Sequence, residues 1–257
     1  EGTGLILTVD NGITALKESE LIYELGMRLV VTDHHQTLEE LPRAEAVVDP
    51  HRSDCPSPYK KYCGAGIALM LVAALNDGDY TIAMEAFAEL AAIATVADVV
   101  ELSGENRFLV QRGLMYLANT ERPGLLALME KSGVLGKTLT STSLAFSLVP
   151  RINAAGRFGS PSQAVCLLLS ENPEDAHKLA DKLEICNRAR KEEEEKILLE
   201  VQSQVEKQPY ILSERVLVFA GNNWHHGVIG IVAARLQERF GKPVFMITIE
   251  ENGARGS

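Results

Sequence analysis

Several residue types are scarce in this chain. Among 257 residues there are only 4 cysteines, 10 prolines and 1 tryptophan, and aromatic residues make up 5%. The cysteines, Cys55, Cys63, Cys166 and Cys186, form no C-x-x-C pair. That argues against a disulfide-built secreted scaffold and predicts a reducing, cytoplasmic setting. Cys55 and Cys63 could join a histidine at zinc, but their spacing is not that of the common zinc modules. No apolar run reaches the roughly 18 residues of a membrane span, and no basic segment with a cleavage site opens the chain. Neither a membrane partner nor a signal peptide is therefore expected. Positive charge is also in deficit, with a formal net charge of −10. A generic nucleic-acid coat would be basic overall. An enzyme that binds nucleic acid through a local positive groove and bound metals stays possible. The densest run of acid is Lys191–Lys196 (KEEEEK), which reads most simply as a solvated helix face.

Hydrophobic residues make up 46% of the chain, enough for a sizeable core, and the length suits two domains. Short apolar runs end in acids or imidazoles: Asp10 in LTVDNGI, Asp33-His34-His35 in VVTDHH, and Asp49 in AVVDP. Such runs suit buried parallel strands. Asp98 in ATVADVV falls at the end of a predicted helix. Polar residues just past parallel strand ends converge on the sheet edge where ligands bind. Aspartate with histidine is a ligand set for Mn²⁺ or Mg²⁺. Two-metal phosphoester hydrolysis needs carboxylates that clamp the cations and groups that contact the phosphate. Asp10, His34, Asp98 and His35 fit those roles. For Asp49 a turn before Pro50 is the simpler reading.

The pattern predicts an α/β fold: strands at 4–9, 28–32 and 46–48 with a helix at 14–25, hence a parallel sheet. Residues 50–63 read as a loop. Helices are expected at 64–76, 80–97, 106–119, 123–131 and 143–147. Asn172-Pro173 is a helix start, and no proline or glycine follows until Pro209. That stretch predicts a helix roughly 50 Å long whose polar centre, Asn187 to Glu195, is solvated. It is read as a bridge between two lobes, with a surface helix or a helical hairpin as the alternatives. A second α/β unit follows, with strands at 215–220 and 243–249 around a helix at 227–240. The chain starts almost inside a strand and stops soon after another, so both ends are read as truncated.

LTVDNGI, VVTDHH and TVADVV, in this order, resemble the motifs of the DHH phosphoesterase superfamily. DPHRSDCPSP, GAGIAL, ADVVELSGENRFLVQRGL, VPRINAAGRFGSPSQAV and NNWHHGVIGIVAARLQERFGKPV extend the resemblance to its RecJ-type branch of single-strand-specific exonucleases. The resemblance implies a DHH domain over 1–171, a connecting helix over 172–209 and a DHH-associated domain over 210–257. It implies that Asp10 bridges two ions, Mn²⁺ or Mg²⁺, that His34 and Asp98 complete the second metal site, that Asp33 orients it, and that His35 touches the scissile phosphate. The family carries an earlier Asp-x-Asp-type motif that is absent here, so one metal site is expected to be well held, the other poorly, and the isolated chain weak or inactive. The implied activity is 5′→3′ hydrolysis of single-stranded DNA in recombination and repair, with a single-strand-binding protein and a helicase as possible partners. Another DHH phosphodiesterase, acting on oligonucleotides or cyclic dinucleotides, and an inactive scaffold are the rivals.

Two further segments suit a polyanion. Arg151, Asn153 and Arg157 in PRINAAGR offer two guanidinium forks and an amide, which match phosphate oxygens. A loop with ordinary surface arginines is the alternative. Asn187 and Arg188 are candidates for the same cleft. Trp224-His225-His226-Gly227 precedes a helix whose free N–H groups could hold an anion. Trp224 would stack on a base or pack against its own domain. In the resembling family His225 is a matched position and His226 a variable one. Arg255 and Ser257 match the opening of that family's glycine-serine-arginine motif.

Overall fold

The structure is a computed structural model and describes residues 2–257. It contains two compact units. One comprises the chain up to Glu121 together with Ser132–Val149, the other Arg122–Lys131 together with Pro150–Ser257.

The first unit opens with β1 (Leu5–Val9), α1 (Leu16–Glu24), β2 (Arg28–Thr32) and β3 (Ala46–Val48). The three strands form an all-parallel sheet in the order β1-β2-β3. β2 is the central strand, and Leu29 and Val31 are buried on it. The expectation of buried strands fails for β1 and also for the short β3, on which Val48 is exposed. β1 is an edge strand, and Leu5, Leu7 and Val9 stay exposed on it. Helices α2 (Gly64–Leu75), α3 (Tyr80–Ala97) and α4 (Gly104–Leu117) follow. They build an apolar core around Leu69, Met84, Ala88, Ala91 and Leu109. By length and composition alone α3 is apolar enough to cross a membrane, although it is not an unbroken apolar run. It is partly buried among its neighbours and carries Glu85 and Glu89. α5 (Pro123–Lys131) belongs to the other unit, and α6 (Ser141–Ser143) leads into a π-helical turn at Leu144–Leu148.

In the second unit α7 (Val149–Phe158) and α8 (Pro161–Leu168) precede the 35-residue α9 (Pro173–Lys207). The PRINAAGR segment is therefore helical, not a loop. Asn172 caps α9: its side chain accepts the N–H groups of Glu174 and Asp175, two of the donors a helix start leaves unpaired. The middle of α9 is solvated on one face only, through Arg188, Lys191, Glu192 and Glu195. Asn187, Arg190 and Glu194 are buried on the other, because the helix is lined by α5, α8 and α10 rather than standing alone. β4 (Leu217–Asn222), α10 (His226–Phe240), β5 (Val244–Glu250) and β6 (Gly253–Gly256) complete the unit. β4 and β5 are parallel. β6 returns antiparallel along β5, a strand that the sequence reading did not anticipate. Leu217, Phe219, Val228, Val232 and Met246 form the core, with Ile197 and Val201 of α9.

Candidate metal centre

The C-terminal edge of the β1-β2-β3 sheet gathers the acids and imidazoles. β2 delivers Asp33, whose backbone N–H bonds to Val48 O at 3.0 Å and continues the ladder to β3. β1 delivers Asp10, whose N–H bonds to Thr32 O at 3.0 Å. Asp10 then turns the chain with φ at 64°. That left-handed conformation is uncommon for a residue with a side chain and is tolerated mainly at sites the surroundings over-determine.

Asp33 is buried and fully engaged. One carboxylate oxygen accepts the N–H of Ile13 at 3.0 Å. The other accepts the N–H of His34 at 2.8 Å, the N–H of His35 at 3.4 Å and the ring Nδ1–H of His35 at 2.7 Å. Burial pushes this carboxyl up, but the N–H of Ile13 and the His35 ring outweigh it and hold Asp33 below the usual carboxylate range. The same bond to Asp33, with the Asp10 and Asp98 carboxylates adding, raises His35 against the opposing effect of its own partial burial. An ionised carboxylate only accepts, so Nδ1 carries the hydrogen and Nε2 of this largely exposed ring is left free.

His34 lies between two carboxylates. Its Nε2 is 2.9 Å from Asp10 Oδ1 and 3.5 Å from Asp98 Oδ2. Yet this buried nitrogen has no hydrogen bond, because neither oxygen lies along its N–H direction. Distances that close without hydrogen-bond alignment are what lone pairs converging on one cation produce. One ligand atom from each of Asp10, Asp33, His34 and His35 falls within a 4.8 Å group. Asp98 caps the C-terminus of α3 and joins through His34. Burial pushes its carboxyl above the usual range, and the Asp10 carboxylate adds to that. Val99, immediately after, holds φ at 57°, a genuine outlier for a β-branched side chain. These residues fit a divalent cation: hard oxygens, one imidazole and an orphaned nitrogen.

One contributor escaped the sequence reading. A Cβ on Gly64, the first residue of α2, would stand 2.3 Å from Asp10 Oδ1. Only glycine leaves room for the Asp10 carboxylate against the start of that helix. The G-A-G run after the loop was the available signal. Asp49 is a turn residue, as the simpler reading has it: its Oδ1 accepts the N–H of His51 at 2.7 Å. Its Oδ2 is buried without a partner, and burial raises its pKa.

The remaining candidates lie in the second unit. Asn153 is exposed on α7. Arg151 is engaged: its Nε donates to Glu184 at 2.6 Å and its Nη2 to Lys131 O. Exposed Arg157 donates through Nη1 to Gly227 O. On α9 Asn187 is buried, whereas Arg188 is exposed. Trp224 cannot offer a face to a base. It is 1% exposed, and its Nε1–H donates to Glu200 at 2.7 Å. Its ring lies where a Cβ on Gly221 would stand, 2.1 Å away. His225 is the N-cap of α10, and its Nδ1 accepts the N–H of Gly227 at 3.1 Å, so that donor is not free for an anion. The N–H of His225 donates to Glu193 at 3.2 Å. The acidic stretch of α9 thus anchors the Trp-His-His loop and is not merely a wet face. Arg255 lies on β6 and is exposed, 4.0 Å from Glu250, and exposed Ser257 pairs with the backbone of Met246.

Comparison with known proteins agrees with this geometry. The DHH family, N-terminal domain, matches residues 3–95. The single-stranded-DNA-specific exonuclease RecJ of Bacillus subtilis (strain 168) is 39% identical over 258 residues, covering 100% of this chain and 32% of that protein. The crystal structure of RecJ from Thermus thermophilus with Mn²⁺ superposes with a TM-score of 0.82 at 36% identity, over 95% of this chain and 36% of that one. The Mg²⁺ complex from the same organism gives 0.72 at 33% identity, over 95% and 34%. The chain spans about a third of the length of each of these relatives.

Proposed function

The chain belongs to the DHH superfamily, in its RecJ-type branch, and on that premise we propose that it is the catalytic part of a metal-dependent 5′→3′ exonuclease acting on single-stranded DNA in recombination and repair. The observation that carries this reading is the buried His34 Nε2, 2.9 Å from Asp10 Oδ1 and without a hydrogen bond. Asp10, His34 and Asp98 are the residues that would hold Mn²⁺ or Mg²⁺. A bound cation would supply the positive charge that stabilises the phosphoryl oxygens in the transition state. Asp33 positions the motif by holding the backbone of His34 and the ring of His35. In its protonated form, which the bond to Asp33 favours, His35 would donate from Nε2 to a non-bridging phosphate oxygen. Water adds to phosphorus, the O3′ of the terminal nucleotide leaves, and the strand keeps a 5′-phosphate. Arg157, Asn153, His225, Arg255 and Ser257 are proposed to contact the strand, with Arg151 held in place by Glu184 beside them. Residues 1–171, 172–209 and 210–257 are the proposed domains. A cytoplasmic setting accords with the four free cysteines, and a single-strand-binding protein and a helicase are the proposed partners.

The test is Mn²⁺ binding by calorimetry beside cleavage of 5′-labelled single-stranded and duplex oligonucleotides, each with wild type and Asp10→Ala. Mn²⁺ binding that is lost in Asp10→Ala is expected, with at most weak Mn²⁺-dependent release of mononucleotides from the single strand, likewise lost in Asp10→Ala. Hydrolysis confined to short oligonucleotides or cyclic dinucleotides would assign the rival activity. Strand binding with neither Mn²⁺ binding nor cleavage would assign a scaffold.

A further inference from the structure

The second unit contains a column of rings that the metal site does not use. Phe158, near the end of α7, stacks on His225 with centroids 4.2 Å apart and planes 17° from parallel. His225 stacks in turn on His226, at 4.9 Å and 14°. The middle ring is fixed on several sides: by Phe158, by the Gly227 N–H on its Nδ1 and by its backbone bond to Glu193. The outermost ring, His226, is exposed. Helix stability does not explain a histidine there. His226 is the first residue of α10, where the dipole favours negative charge and disfavours a protonated imidazole.

We propose that the outer face of His226 is a stacking platform for a nucleobase of a single strand, a role that rests on the nuclease reading above and replaces the one expected of Trp224. A planar ring held parallel on a fixed stack loses little freedom when a base is added to it. Stacking on it is tolerant of sequence, because every base has a π-face. The column also has a cation beside it. Arg157 precedes Phe158 and donates to Gly227 O through Nη1 alone, which leaves further guanidinium donors for the phosphate that follows a stacked base. Phe158, His225 and His226 therefore form the base-reading side of a contact whose backbone-reading side is Arg157.

The experiment uses the whole chain in EDTA, so that no strand is cut. Binding is measured to a fluorescent 12-nucleotide single strand and to the same strand with abasic sites throughout, and stacking is read from the fluorescence of a 2-aminopurine-bearing strand. His226→Ala is expected to weaken the base-bearing strand about tenfold, to leave the abasic strand within about twofold and to lose the 2-aminopurine quenching. His226→Phe should keep both binding and quenching, and it guards against a folding defect in the alanine variant. An equal loss on both strands, or no loss of quenching, overturns the platform while leaving the nuclease reading intact. If wild type binds neither strand, the nuclease reading falls and the platform falls with it.

Discussion

The chain carries two His-His pairs, each just past a parallel strand, and their surroundings make them different instruments. His34-His35 follows β2, and the rings are tilted at 50° with centroids 4.4 Å apart. Three carboxylates, Asp10, Asp33 and Asp98, face this pair. His225-His226 follows β4 and lies nearly flat, ring on ring. Its neighbours are a phenyl ring, a backbone N–H, Arg157 and a single carboxylate, Glu193, which holds the His225 backbone N–H. Carboxylates turn an imidazole into a cation ligand or a donor. Burial among rings favours the neutral form of His225. The dipeptide alone says little; the partners that folding brings to it decide its chemistry.

The strongest way to break this comparison is to remove a carboxylate from the first pair. Asp10→Ala should abolish Mn²⁺ binding in calorimetry and with it whatever weak Mn²⁺-dependent cleavage the chain shows. The melting temperature should stay near wild type, since that side chain is largely exposed. Retained Mn²⁺ affinity would mean that Asp10 does not hold the ion.

Next in size is the tryptophan beside the second pair. Trp224→Ala should destabilise the chain by about 3–5 kcal/mol in urea unfolding, because a fully buried ring and its bond to Glu200 are lost together. A cost below about 1 kcal/mol would show that the ring is at the surface after all and restore its candidacy as a base-stacking residue.

A quieter change at the first pair is Gly64→Ala. The added methyl group would displace Asp10, so Mn²⁺ affinity should fall by roughly ten- to a hundredfold. Circular dichroism should meanwhile show the helices intact. Unchanged affinity would mean that Asp10 does not ligate in the position seen here.

The smallest expected effect sharpens the contrast through acid. Burial, with His226 and Arg157 adding, holds His225 below the ordinary histidine pKa. A proton is therefore bound more readily by the unfolded chain. The stability this contributes is full above the unfolded value of about 6.5 and is lost as pH falls through the folded value. His225→Asn, which keeps a cap acceptor, should flatten that part of the melting-temperature profile between pH 7 and 5. A wild-type profile already flat there would contradict it.

The sheet, the long helix and the acid-imidazole edge were legible because each has a local signal: an apolar run, an Asn-Pro start, an Asp-His-His triplet. What was illegible depends on partners distant in sequence. Trp224 looked available for stacking because nothing in the loop reveals that Glu200 and Gly221 enclose it. The KEEEEK run looked solvated because composition does not say which acids find donors. Glu193 meets a backbone N–H, and Glu194 meets Arg190. The loop offered as the alternative for PRINAAGR does not form, because its proline lies in the first turn of α7 and its glycine is accommodated within that helix. β6 went unseen because a glycine-rich stretch scores poorly as a strand until β5 offers it a ladder.

Glu194 gives α9 a further property. One oxygen accepts from Arg190 at 2.8 Å, while Arg235 of α10 approaches the other at 2.7 Å as an ion contact without hydrogen-bond alignment. Sliding α10 by one turn along α9, about 5.4 Å, would strand that carboxylate in an apolar wall with half its counter-charge gone. Apolar seams allow such slips at low cost, whereas a buried ion admits one seat. The triad therefore acts as a detent, so that the loop bearing the second histidine pair comes to rest at a single height along the 35-residue shaft.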